Sequence, residues 1–193
     1  MHSKIEKTEA GNFSASLFYN SDKRNKGLKQ LTGYIDGSVI GNDDFRKGQD
    51  ESLKFLGAGC SYQLLDNDTL ISSGGSVLET FYEFRNEIMA TNCHIPEFEG
   101  VYLLLSNIKE MFDSLDDIHL VVKTDSQTVI EHLYGSRLTN NPIQARIKSS
   151  ILGILYQLGS FELEYIPRRE NHVCDSLAKE YSKMKISGKG TIK

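Results

Sequence analysis

The run Ile118-His119-Leu120-Val121-Val122-Lys123-Thr124 constrains this chain most. Its middle is apolar on both faces, as in a strand covered from both sides at the centre of an α/β sheet. Parallel neighbours of such a strand need crossover helices, and the sequence supplies them. One helix is predicted from Pro96, where proline suits a first turn, to about Phe112. Another runs from Ser126 to about Leu133. Asn141-Pro142 opens a third, with Asn as N-cap, a stripe of Ile143, Ile147, Ile151, Ile154, Leu155 and Leu158, and Gly159 as stop signal. Phe161–Pro167 reads as the last strand and Asn171 to about Met184 as the last helix. Upstream, Tyr34–Val39, Gly59–Leu65 and Leu70–Leu78 read as strands, the last two joined by Asp66-Asn67-Asp68, with a continuation into Phe81–Phe84 left open. The order β-β-β-α-β-α-α-β-α predicts an α/β fold. It has one mixed five-stranded sheet, an antiparallel meander of three strands followed by parallel strands, with helices on both faces.

The chain has 193 residues, 39% hydrophobic and 25% charged, which suits one globular domain with an extension. The expected division is an N-terminal extension over 1–30 with one strand near Phe13–Tyr19, a domain over 31–184, and a basic tail over 185–193. No run of apolar residues is long enough for a membrane span, and MHSKIEKTEAGNF lacks the apolar core of a secretory signal. Cys60, Cys93 and Cys174 are scattered, without metal-ligand spacing, so neither a disulfide framework nor a zinc site is expected; a reducing, cytoplasmic compartment fits. The formal charge of −4 is uneven. Residues 1–30 carry +3 and residues 179–193 carry +4, leaving −11 between. Basic ends suit contacts with a polyanion, and an acidic middle suits a pocket of carboxylates around a cation.

Four acids stand in unusual places. Asp36 interrupts an apolar strand, where an unpaired carboxylate costs several kcal/mol if desolvated, on the order given by transfer data; as an alternative it faces water on an edge strand. Asp125 closes the central strand, at the sheet end where α/β ligand sites form; as an alternative it is a simple helix N-cap. Glu97 heads the helical stripe Val101, Leu104, Ile108, Met111 and Phe112, whereas Glu99 points about 200° away, towards solvent. Asp175 lies one turn into the last helix, off a stripe read as Val173, Leu177, Tyr181 and Met184, so periodicity alone makes it a solvated acid favoured by the helix dipole. Converging on one sheet edge, four carboxylates would demand divalent metal. Oxygen-only donors favour Mg²⁺ or Mn²⁺ over zinc.

At these residues the chain resembles type 1 ribonuclease H, in its plant- and archaeal-like branch. Four segments carry the resemblance in the family's order: Tyr34-Ile35-Asp36-Gly37-Ser38, Pro96-Glu97-Phe98-Glu99-Gly100-Val101, Val122-Lys123-Thr124-Asp125-Ser126-Gln127, and Tyr165 through Ala178 with Pro167-Arg168-Arg169-Glu170-Asn171 and Asp175. The resemblance implies a ribonuclease H-like fold over residues 31–184. It implies that Asp36, Glu97, Asp125 and Asp175 are catalytic and bind two Mg²⁺ or Mn²⁺ ions, and that the RNA strand of an RNA/DNA hybrid is hydrolysed. No organic cofactor and no membrane partner are implied. Gly37, Ser38, His94, Ser126, Gln127 and Asn171 are the expected substrate contacts.

Several features depart from the family pattern. The loop Gly41–Gly57 is long. Cys93 and His94 stand where paired asparagines often contact the hybrid. Gly135–Asn141 carries only Arg137, without a basic handle. The last loop is short, leaving His172 as the candidate for a mobile catalytic imidazole, against an ordinary place beside a helix N-cap. Two other readings are a nuclease on this fold for another nucleic acid, such as double-stranded RNA, and a non-catalytic nucleic-acid-binding module.

Overall fold

The computed structural model describes residues 2–7, 13–18 and 27–187. The meander is β3 (Lys29–Gly41), β4 (Phe55–Asp66) and β5 (Thr69–Leu78). Its second turn places Asn67 and Asp68 at φ 46° and 67°, the left-handed region these two residue types tolerate. β8 (Ile118–Thr124) runs parallel to β3, and β9 (Ser160–Tyr165) parallel to β8. These are the five expected strands. Two more, β1 (His2–Lys7) and β2 (Phe13–Phe18), continue the sheet antiparallel beyond β9, so the order is β1-β2-β9-β8-β3-β4-β5. The loop expected at Ser21–Gly27 lies almost wholly outside the described residues, as do Lys189 and Lys193 of the basic tail.

Phe81–Phe84 does not prolong β5. As β6 it pairs with β7 (Glu87–Ala90) in a separate hairpin whose turn, Arg85-Asn86, has φ 52° and 65°. Arg-Asn lacks the glycine that usually marks such a turn, so the sequence hides it.

Three helices cover one face of the sheet: α1 (His94–Met111), α2 (Gln127–Leu133) and α3 (Pro142–Leu155). The helix α4 (His172–Ser187) covers the other. α1 starts two residues earlier than Pro96 suggests because Asn92 Oδ1 accepts from the amides of His94 and Ile95, at 2.9 and 3.0 Å. Asn141 caps α3 as expected, accepting from Ile143 and Gln144 at 3.0 Å. Ile35, Phe98, Val101, Leu104, Ile108, Leu120, Val122, Ile151 and Leu155 form the core between α1, α3 and the sheet. Of the stripe read for α1, Met111 is 43% exposed because it lies in the last turn.

α4 is rotated from the expected stripe. Val173 and Met184 are exposed, and Cys174, Ala178 and Ser182 face the sheet. The reason is proximity. A Cβ at Gly59 would lie 2.5 Å from the Ser182 amide, and one at Gly75 2.2 Å from the Tyr181 ring. Small residues permit that approach, so size rather than hydrophobicity chooses the buried face. The rotation brings Asp175 inward.

Glu99 is likewise not solvated, and burial pushes its carboxyl above the usual range. It is half-buried because α3 and Tyr82 of the β6–β7 hairpin pack beside that side of α1.

Backbone meets backbone where α1 crosses β3. A Cβ at Gly37 would lie 2.3 Å from the Glu97 nitrogen and 2.4 Å from the Pro96 carbonyl carbon. Gly37→Ala is therefore expected to cost about 1–3 kcal/mol, the range for overpacking against unyielding neighbours. Gly153, in α3, has nothing within 4 Å of such an atom, so Gly153→Ala should add roughly 0.5–1 kcal/mol by helix propensity and unfolded-chain entropy. Urea unfolding of both variants measures the contrast.

Candidate active site

Asp36 projects from β3 on the α4 face, opposite Gly37, and is 6% exposed. Its Oδ1 accepts the amide of Gly37 at 2.7 Å. Burial, then the neighbouring Asp125 carboxylate, pushes the Asp36 carboxyl up; the Gly37 hydrogen bond opposes this, and Asp175 and Glu97 add to it, leaving a pKa of about 7. All three other acids singled out in the sequence thus act on this one carboxyl.

Glu97 enters from the first turn of α1, where Pro96 and Gly37 fix the helix against β3. Its Oε2 accepts from Ser126 Oγ at 2.5 Å, and His94 Nδ1 lies 3.5 Å away. Asp125 follows β8 without capping α2. The cap is Ser126, whose hydroxyl oxygen accepts the Val129 amide at 3.4 Å, so the Asp125 carboxylate is left for the site. Asn171 ties the strands to the last helix: its Nδ2 donates to Asp125 Oδ1 and to the Ile35 carbonyl, each at 2.9 Å. It is 2% exposed, and among the described residues its Oδ1 has no hydrogen-bond partner.

Asp175 behaves differently. Burial raises its carboxyl, but hydrogen bonds from Lys179 at 2.5 Å and from the Arg168 guanidinium outweigh this and hold it below the usual range. Arg168 sits in the quoted motif and Lys179 one turn past Asp175; the sequence reading assigns neither to the site. The spacing 175–179 was a signal for the lysine, since i and i+4 share a helix face.

The remaining expected contacts divide. Ser126, Asn171 and His94 touch the acids directly. Gly37 gives its amide to Asp36, and Ser38 lies 3.4 Å from Ser182 Oγ. Gln127 and His172 are exposed beside the site. Among the described residues, no three Asp, Glu, His or Cys side chains surround one point closely enough to hold an ion as they stand. The donor chemistry nonetheless suits a hard dication: four carboxylates, oxygen throughout, with mutual repulsion concentrated on Asp36.

Comparisons with known proteins bear on the fold. A family model described as reverse transcriptase-like matches residues 103–181, which include Asp125 and Asp175 but neither Asp36 nor Glu97. No curated protein matches the chain in sequence. RNase H1 from the halophilic archaeon Halobacterium salinarum aligns with a TM-score of 0.58 at 19% identity, over 79% of this chain and 96% of that one. LC11-RNase H1, isolated from compost by a metagenomic approach and solved with an RNA/DNA hybrid, aligns at 0.63 and 18%, over 81% and 99%. The N-terminal RNase H domain of a Mycobacterium tuberculosis protein aligns at 0.63 and 14%, over 84% and 99%.

The chain has the ribonuclease H-like fold. Its meander, two parallel strands and four helices are those of the neighbours. No helix among the described residues is long and apolar enough to cross a membrane.

The raised Asp36 carboxyl makes the metal-free protein pH-sensitive. Its folded pKa of about 7 exceeds the 3.8 of an ordinary aspartate carboxyl, so between these values the folded state binds more protons. Its contribution is present below the lower value and is lost as pH rises through the upper one. Wild type minus Asp36→Asn should therefore lose on the order of a few kcal/mol of stability from pH 4 to 7. Asp36→Asn should be at least as stable as wild type at neutral pH. Chemical denaturation of both proteins in EDTA across this range checks the sign.

Proposed function

We propose that the chain is a metal-dependent endoribonuclease that hydrolyses the RNA strand of RNA/DNA hybrids. One observation supports this most: a buried carboxyl on the central sheet, Asp36, is raised by burial and by three other carboxylates from α1, the end of β8 and α4. Such a cluster is costly unless a cation relieves it. Asp36, Glu97, Asp125 and Asp175 would hold two Mg²⁺ or Mn²⁺ ions, which when bound supply an activated water and stabilise the leaving oxygen.

The chain's own residues do the positioning. Asn171 fixes Asp125 against β3, and Ser126 fixes Glu97. Arg168, with a side chain 67% exposed, stands at the rim on Asp175 with guanidinium donors suited to a phosphate. Exposed Gln127, and His94 beside Glu97, are placed to meet the strand or its 2′-hydroxyls, the feature that separates RNA from DNA. Lysines in the basic ends add phosphate contacts without reading sequence. On this reading residues 31–184 are the catalytic domain, flanked by the 1–30 extension and the 185–193 tail. A cytoplasmic setting accords with the three free cysteines.

The test is cleavage of labelled RNA/DNA, RNA/RNA, DNA/DNA and single-stranded RNA with Mg²⁺ or Mn²⁺. The RNA strand of the hybrid should be cut, with 3′-hydroxyl and 5′-phosphate ends, and EDTA should stop the reaction. Glu97→Gln should lower the rate by more than the roughly 10–100-fold typical of losing a residue that only supports a ligand. An uncut hybrid, or Glu97→Gln at wild-type rate, removes the proposal. Preferential cutting of RNA/RNA would keep the nuclease but reassign its substrate.

A further inference from the structure

The side of α1 turned away from the catalytic acids also carries chemistry. There α1, α3 and the β6–β7 hairpin line an open cavity of about 270 Å³. Glu99 and Tyr102 line it from α1, Tyr82 from β6, and Ile143, Arg146 and Ser150 from α3. Among the described residues, neither the Glu99 carboxylate nor the Arg146 guanidinium has a hydrogen-bond or ion-pair partner. Arg146 is exposed, so it stands at the mouth, while Glu99 is half-buried. The rest of the lining is mainly two phenol rings and two isoleucines, Ile143 and Ile147.

Each feature narrows the ligand. A partly desolvated carboxylate calls for donors. Aromatic and branched walls suit a flat ring, which stacks on Tyr. A free guanidinium at the rim suits phosphate. The volume lies just below the roughly 300–1,000 Å³ of ordinary small-molecule sites, which suits one base rather than a larger group. Among the nucleobases, guanine alone offers two adjacent donors, N1–H and the 2-amino group, to the two oxygens of a carboxylate. Adenine and cytosine set a ring-nitrogen acceptor beside their amino group, and uracil sets a carbonyl on each side of its N–H; each would push an acceptor against Glu99.

We propose that this cavity between α1, α3 and the β6–β7 hairpin binds a single unpaired guanosine nucleotide, its base on Glu99 between Tyr82 and Tyr102 and its phosphate on Arg146. A helix is roughly 10–12 Å across, so the site lies about one helix width from Glu97. A nucleotide there is within reach of a strand end displaced from the acids. The choice of a nucleotide over another ligand of this shape rests on the nuclease reading, but its test needs no turnover.

The experiment is titration calorimetry of the full chain in EDTA, which removes metal-bridged phosphate binding at the acids. GMP, AMP and guanosine are the probes, and Glu99→Gln and Arg146→Met the variants, with far-ultraviolet circular dichroism as the folding control. GMP should bind one to one, at least about tenfold tighter than AMP, the discrimination expected of one bidentate base contact. Glu99→Gln, which cannot accept from both guanine donors and whose amide pairs with adenine's amino group and ring nitrogen, should abolish or reverse the preference for GMP over AMP. Arg146→Met lies on an exposed helix face and keeps the apolar stem; it should bring GMP down to the affinity of guanosine. No GMP heat at millimolar concentration, equal affinity for AMP, or GMP binding untouched by Arg146→Met would each overturn the proposal. An inactive chain that binds GMP in this pattern would leave it standing and remove the nuclease reading alone. An active chain that ignores GMP would do the reverse.

Discussion

The site depends on a place where two backbones touch. Where α1 crosses β3 at Gly37, no room remains for even one methyl group. That contact fixes the first turn of α1 against β3 and so places Glu97, from the same turn, beside the strand that carries Asp36. α4 uses the same device on the opposite face, lying on Gly59 and Gly75 through Ser182 and Tyr181. Helices held at this distance bring their first turns to the edge where β3 and β8 deliver Asp36 and Asp125.

The electrostatics follow from that closeness. Asp36 is surrounded by low-dielectric protein and by like charge, while Asp175, on the rim, is compensated by Arg168 and Lys179. One cluster therefore contains an acid easily protonated and another held ionised. The division follows burial: the strand acid is the more deeply desolvated, and the helix acid accepts hydrogen bonds from two basic side chains. Asn171 joins β3, the end of β8 and the start of α4 through one amide group, so the position of Asp125 is set by three elements that are distant in sequence.

Much of the fold was legible because its elements carry strong local signals. The both-faced apolar run at β8, the Asn141-Pro142 cap and the Asp66–Asp68 turn each dictate a local conformation. Asp36 was legible from its cost in an apolar strand. Asp175 was not, since hydrophobic periodicity assigned α4 the wrong face, and only motif resemblance singled it out. Periodicity weighs apolar area, whereas the sheet selects small residues wherever glycines let a helix sink close. Glu99 misled for a related reason. A helix face opposite the sheet reads as solvated, and the hairpin that covers it turns on Arg85-Asn86, a pair without a turn-forming glycine. The pairing of Asp175 with Arg168 and Lys179 is a tertiary and one-turn relation that composition does not reveal.

The N-terminal strands alter the order in which this sheet can be completed. Ser14 pairs with Glu164 and Leu17 with Phe161, so β2 is made early and waits for β9, made near the end. At roughly 5–20 residues per second, synthesis separates the two by about 7–30 s. Throughout that interval the hairpin β1–β2 has no sheet to join, and a two-stranded hairpin alone is marginal in water. Its pairing with β9 therefore belongs to the last stage of assembly, although β1 and β2 are the first strands of the sheet to leave the ribosome.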